Sequence, residues 1–329
     1  MAQAQGAAFL HLAYFGIVNG LLVALARLGM AGADELADAA GKDRGYVRRW
    51  CDAAYAFGLL DEVEPDRFAL TADGNAFRPD VQDSLMPIAV HATLSAHMAE
   101  RAAECCSSGE RPGEAVMAER ATILPWFGPM LEQQFAPLLE AEILPAVPIF
   151  AEVGVRGGLA VDLGCGNGWY LRRLAARFPG LRGVGLDGFE DNVRHARDAA
   201  AAEGLDARLR FERGDIHHFG IDEPVDLIAM NRALHHVWDQ KDNVFRILRA
   251  HLAPGGAVVF WEPCWPARRE LLRDPARRGL AFQNLSEHVQ GNHFLRPDEI
   301  GDELRHAGFD AELHLFADGR ESVIVGRNR

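Results

Sequence analysis

Val161-Asp162-Leu163-Gly164-Cys165-Gly166-Asn167-Gly168 is the stretch on which the reading of this chain turns. It closes a short apolar run, Leu159–Leu163, and opens directly into a helical pattern over Trp169–Phe178. Glycines in such a place permit a tight turn and let a ligand come close to the backbone. The spacing is GxGxG, distinct from the GxGxxG of the dinucleotide fingerprint. No Gly-Lys-Ser/Thr follows, which excludes a nucleoside-triphosphate loop.

Working outward, further apolar runs at Gly183–Leu186, Leu209–Phe211, Val225–Met230 and Ala257–Trp261 alternate with helical stretches. Strand-helix alternation of this kind predicts an α/β fold with a largely parallel, doubly wound sheet. Asp187 ends the second run, 21 residues past Gly166, where a carboxylate can hold the two hydroxyls of a ribose. Gly214-Asp215-Ile216 follows the third run, and Asp215 is placed to accept from an adenine amino group. Asn231 ends the fourth. All these positions fall at the C-terminal ends of strands, the edge where open α/β sheets bind ligands.

The chain has 329 residues, enough for about two domains at roughly 150 residues each. Its apolar share of 49% and charged share of 25% are those of an ordinary globular protein, which excludes a disordered or collagen-like chain. A net charge of −13 argues against sequence-independent phosphate binding, so no nucleic-acid partner is expected. Five cysteines without CxxC spacing fit reduced thiols and a cytoplasmic location. Phe9–Leu28 is apolar over nearly a bilayer's thickness, but His11, Asn19 and Arg27 interrupt it. A buried or subunit-interface helix is therefore expected, with no membrane partner.

Residues 1–84 read as a small helical domain with a hairpin. One helix opens near Asp34, and a second, Arg44–Phe57, carries Val47, Trp50, Ala54 and Phe57 at helical spacing before Gly58 stops it. Leu59–Val63 and Arg67–Leu70 then alternate around Pro65-Asp66 as two strands and a turn. Residues 85–154, broken by several prolines, are expected to be a helical connector. Its Trp126, Phe127 and Phe135 are available to a pocket wall.

Asp162 to Gly168, Asp187, Asp215-Ile216 and Leu252-Ala253-Pro254-Gly255-Gly256 occur in the order seen in class I S-adenosylmethionine-dependent methyltransferases. The resemblance covers residues 155–329 and implies a doubly wound, seven-stranded Rossmann-like sheet. It implies S-adenosyl-L-methionine as cofactor, its amino-acid half cradled by the loop with Asp162, Gly164, Gly166 and Gly168, with Asn231 also at the cofactor. Asp187 would hold the ribose, with Asp215 and Ile216 at the adenine. Arg44-Gly45-Tyr46-Val47-Arg48-Arg49-Trp50 with the following hairpin resembles the winged-helix domain fused to bacterial small-molecule methyltransferases. In those relatives it mediates dimerisation, so a homodimer is expected. A DNA-reading role is disfavoured, because residues 1–85 hold 7 basic against 12 acidic side chains.

Methyl transfer needs an acceptor aligned behind the methyl group and, for a hydroxyl or acidic C–H, a positioned base. Asn231-Arg232-Ala233-Leu234-His235-His236-Val237-Trp238 resembles the catalytic-histidine segment of O-methyltransferases, with the base two residues before the tryptophan, at His236. His235 is the alternative. A second polar cluster, Asn284 to Phe294, is expected as a connector over the same mouth, with Glu287, His288 and His293 lining the pocket. His288 is also a catalytic candidate. Together the two segments resemble, more weakly, the 2-oxo acid C-methyltransferases, whose metal sits between two histidines matching His235 and His288. That group's substrate-pairing arginine is missing near residues 132–136. The expected activity is methyl transfer to a small molecule of specialised metabolism. Three alternatives stand beside it: metal-assisted C-methylation of a 2-oxo acid, consumption of the cofactor with release of methylthioadenosine, and a ligand-sensing regulator. His217-His218 could touch the adenine edge.

Overall fold

The structure, a computed structural model, describes residues 2–217 and 220–328, with the side chain of Ala118 excepted. His218 lies outside the described residues. The chain forms two compact units, one of residues 1–101 with 117–134 and the other of residues 102–116 with 135–329. Residues 85–154 are thus shared between the two units.

The first unit begins with helices Ala2–Val18 and Leu21–Leu28, joined through Gly20 at a φ of 70°. Ala13, Ile17, Leu21, Leu22 and Leu25 are buried in its core. Among the described residues no single helix is long and apolar enough to cross a membrane, and this pair would do so only with a bend of 72°. Helix Ala33–Ala40 and helix Arg44–Ala56 follow, the latter capped by Asp43, whose side chain accepts from the Tyr46 N–H. Val47, Trp50 and Ala54 bury one face of it, as their spacing predicts. Strands β1 (Ala31–Gly32), β2 (Leu60–Glu64) and β3 (Arg67–Leu70) form a small antiparallel sheet in the order β1-β3-β2. This order of elements is compatible with a winged helix.

The second unit is built on a seven-stranded sheet. Its strands are β4 (Leu159–Leu163), β5 (Arg182–Asp187), β6 (Leu209–Arg213), β7 (Val225–Asn231), β8 (Leu252–Pro263), β9 (Phe309–Phe316) and β10 (Glu321–Asn328). Their order is β6-β5-β4-β7-β8-β10-β9, parallel up to β8, with β10 antiparallel to both β8 and β9. Val161, Leu163, Ile228, Met230, Val258 and Phe260 form the centre of the core beneath it. The chain order reverses between β4 and β7, so the turns after these adjacent strands open toward one crevice.

Two elements depart from expectation. Strand β8 starts at Leu252, ahead of Pro254-Gly255-Gly256, because Leu252 already pairs with Val225 and a register shift takes up the turn. The polar cluster expected as a connector is largely helical: Asn284 to Val289 complete the helix Arg278–Val289. That helix buries Ser286, Glu287 and Val289, so its polar residues face two environments.

Candidate active site

The glycine turn after β4 is held by its neighbour strand. Gly164 and Cys165 donate their N–H groups to the Leu186 carbonyl at 2.8 and 2.9 Å. The Gly166 N–H donates to Asp187 Oδ2 at 2.8 Å. Asp187 Oδ1 accepts from Phe189 N–H at 2.9 Å and from the Asn192 amide at 3.1 Å. Gly168 has a φ of 74°, and a Cβ there would lie 2.5 Å from the Phe211 ring, so only glycine fits. At Gly166 a Cβ would meet nothing within 4 Å, which leaves its backbone face open.

Three buried oxygens near this turn have no hydrogen-bond partner among the described residues: Oδ1 of Asp162, of Asn167 and of Asn231. They come from β4, from the turn, and from the end of β7. Such orphaned acceptors are costly unless a ligand donates to them. Burial, reinforced by the Asp187 charge, pushes the Asp162 carboxyl up to about 8. Burial also raises Asp187, against the pull of its N–H partners. Cys165 is buried and its thiol is raised by burial, so it serves as packing. Asp215 is exposed and accepts from the His217 N–H at 2.9 Å, while Ile216 packs against the sheet's core.

A chain of histidines and carboxylates occupies the turn after β7. Glu262, near the end of β8 and 1% exposed, accepts from the Leu234 N–H with Oε1 and contacts His235 Nδ1 with Oε2 at 2.6 Å. Glu287 Oε2 lies 3.7 Å from His235 Nε2 and takes a bond from the Gln290 amide. Burial alone would lower His235, but Glu262 and Glu287 override it and raise the imidazole to about 10. His235 is therefore a caged imidazolium at neutral pH. Glu287 stays below the usual carboxylate range despite burial because His235 faces it.

His236 stands 4.3 Å from His235, ring centre to ring centre, and is less enclosed. Its Nδ1 lies 2.8 Å from Glu114 Oε1 and 2.8 Å from the Asn292 amide. The bond to His236 lowers the Glu114 carboxyl and outweighs its partial burial. The segment bearing Glu114 is fastened to the end of the helix Arg278–Val289 by a Gly113 N–H to Val289 carbonyl bond.

The structure thus brings His235, His236 and Glu287 together, with one ligand atom of each within 4.8 Å of the others. His288 and His293 are exposed and stand outside that cluster. The side chains that turn inward are their neighbours Glu287 and Asn292, both 7% exposed. The aromatic residues separate as well. Trp126 and Phe127 pack against the first unit's core. Phe135 belongs to the second unit, 5.7 Å from Trp261, with the Arg232 guanidinium 3.8 Å over its ring. Arg232 has a φ of 57° and binds Glu321, which also accepts from the Trp261 indole at 2.9 Å.

Sequence reasoning missed Glu114 altogether, since no local pattern marks it. Glu262 did carry a signal as a carboxylate directly after the apolar run Ala257–Trp261, although a helix-capping role fits that position equally well.

Residues 160–256 match the family model of the methyltransferase domain, and this part of the chain is a methyltransferase domain. The fold of the whole chain is that of known methyltransferase structures. An O-methyltransferase family protein from Burkholderia thailandensis is 20% identical with a TM-score of 0.73, covering 99% of this chain and 95% of that one. A structure described as PigF with SAH is 19% identical with a TM-score of 0.74, covering 99% and 98%. In sequence, the trans-aconitate 2-methyltransferase of Variovorax paradoxus is 36% identical over 121 residues, 36% of this chain and 44% of that protein. The chain spans about half the length of the first curated relatives it matches.

Proposed function

We propose that this protein transfers a methyl group from S-adenosyl-L-methionine to a small-molecule acceptor of specialised metabolism. The observation that carries the reading is the pairing of two features on adjacent strands. A glycine turn follows β4, flanked by acceptor oxygens without a hydrogen-bond partner among the described residues, and a carboxylate-held histidine pair follows β7.

The residues present fit the cofactor. Asp162, Asn167 and Asn231 offer oxygens to the ammonium of its amino-acid half, and the open backbone at Gly166 admits it. Asp187 is proposed to hold the ribose hydroxyls, with Asp215 and Ile216 at the adenine. Bound S-adenosyl-L-methionine supplies an electrophilic methyl group. The remaining work belongs to the chain: orienting the acceptor, excluding water and taking a proton. Positioning of this kind contributes up to about 7–11 kcal/mol, and a base adds roughly 10²–10⁴-fold. We assign the proton-accepting role to His236, since His235 is enclosed between two carboxylates. The exposed His288 and His293 are left outside the chemistry. Dimerisation through the first unit is part of the same proposal.

A second reading is favoured by one observation, the grouping of His235, His236 and Glu287. Two imidazoles and a carboxylate can hold a divalent ion, and Glu262 and Glu114 would back the two rings. The ion would then polarise an oxygen of the acceptor as a Lewis acid.

The test is turnover with a panel of phenols, amines and oxo acids. Acceptor-dependent formation of S-adenosylhomocysteine is expected. Release of methylthioadenosine without any acceptor would overturn the reading in favour of cofactor consumption.

A further inference from the structure

We infer that Glu114 is a positioning residue that sets the tautomer of His236, placing the proton on Nδ1 and the lone pair on Nε2. The inference deepens the proposed function, because it makes His236 a ring with a free basic nitrogen.

The argument starts from a conflict at one atom. Nδ1 of His236 has two neighbours at the same distance, Glu114 Oε1 and the Asn292 amide, each 2.8 Å away. A ring nitrogen in a neutral imidazole either carries a proton or offers a lone pair, never both. If Asn292 donates its N–H, the lone pair is on Nδ1 and faces the Glu114 carboxylate, which is repulsive. If Nδ1 carries the proton, it donates to Glu114, and Asn292 turns its amide oxygen to the ring. The two states differ in kind. A hydrogen bond to an ionised carboxylate is roughly twice as strong as a neutral one, so the carboxylate decides. The lone pair is then on Nε2, away from both neighbours.

His235 shows why this matters. Carboxylates lie at both its ring nitrogens, Glu262 at 2.6 Å and Glu287 at 3.7 Å, and it is 4% exposed. It has no nitrogen left to accept a proton from an acceptor. Two adjacent histidines of the same sequence pattern are thus given opposite roles by which carboxylates reach them. Glu114 lies outside residues 160–256, the stretch matched to the methyltransferase domain, and belongs to the same compact unit as His236. Its segment is set against the helix Arg278–Val289 by the Gly113 to Val289 bond.

The test reads the tautomer directly and needs no acceptor. Protein labelled with ¹⁵N-histidine is observed by long-range ¹H–¹⁵N correlation at a pH where His236 is neutral, its signals assigned through His236→Asn. Wild type should show a protonated, pyrrole-type Nδ1 and an unprotonated, pyridine-type Nε2. In Glu114→Ala the pattern should invert, as Asn292 then donates to Nδ1, while Asn292→Ala should keep the wild-type pattern. A wild-type Nε2–H form, or an unchanged pattern in Glu114→Ala, overturns the inference. Calorimetric titration of each variant with S-adenosylhomocysteine, expected to agree within threefold, confirms an intact site. Absence of binding in wild type would instead sink the proposed function.

Discussion

Glu262 Oε2 meets His235 Nδ1 at 2.6 Å while its other oxygen caps the Leu234 N–H at 2.8 Å, so one side chain from β8 fixes both the backbone and the ring of the turn after β7. Removing one member of a buried charged pair leaves the other uncompensated, at a cost of about 3 kcal/mol or more. Glu262→Ala should therefore lower the melting temperature of the second unit by several degrees in calorimetry. A melting curve identical to wild type would show that this pair is not holding the turn.

The cofactor assignment is tested at Asp187, whose carboxylate also braces the glycine turn through Gly166. Asp187→Ala should bind S-adenosylhomocysteine at least tenfold more weakly by calorimetric titration. Binding as tight as wild type would remove the ribose role.

Asp162 gives a pH dependence with a definite sign. Its carboxyl rises from an ordinary 3.8 to about 8 in the folded protein, so the native state holds the proton more tightly than the unfolded chain. The stability this lends is fully present below pH 3.8 and is lost as the pH climbs to about 8. Asp162→Asn keeps the shape without the charge. The ligand-free variant should melt above wild type at pH 8 and higher, with the gap closing toward pH 4. A gap that widens on acidification would contradict the assignment.

Replacing His236 with Gln should reduce kcat by about 10²–10⁴-fold once an acceptor is in hand. Affinity for S-adenosylhomocysteine should stay within threefold. Equal loss in both quantities would point to a structural role.

Chelation separates the two readings of the histidine cluster. With His236 as the base, turnover should survive dialysis against a chelator and elemental analysis should find no stoichiometric metal. Activity that is lost on dialysis, restored by a divalent ion, and absent in Glu287→Gln would establish the metal reading.

Most of the proposed cofactor side was legible in the chain because it is local. Asp162 to Gly168 is one contiguous turn, and Asp187 follows from the fixed length of a strand-helix-strand unit. The polar cluster at Asn284 to Phe294 was legible only as a polar segment. Which of its residues turn inward depends on helical phase, and the structure selects Glu287 and Asn292 while leaving His288 and His293 exposed. The aromatic trio shows a related effect: residues near one another in the connector belong to two different units, Trp126 and Phe127 to the first and Phe135 to the second.

The sequence by itself determined the alternation of strands and helices and the glycine turn, since periodicity and backbone freedom act over a few residues at a time. Only the tertiary structure decided which carboxylates surround the histidine pair. Glu114, Glu262 and Glu287 reach His235 and His236 from far along the chain, and the field around an imidazole depends on what lies within a few ångströms in space, whatever the distance in sequence.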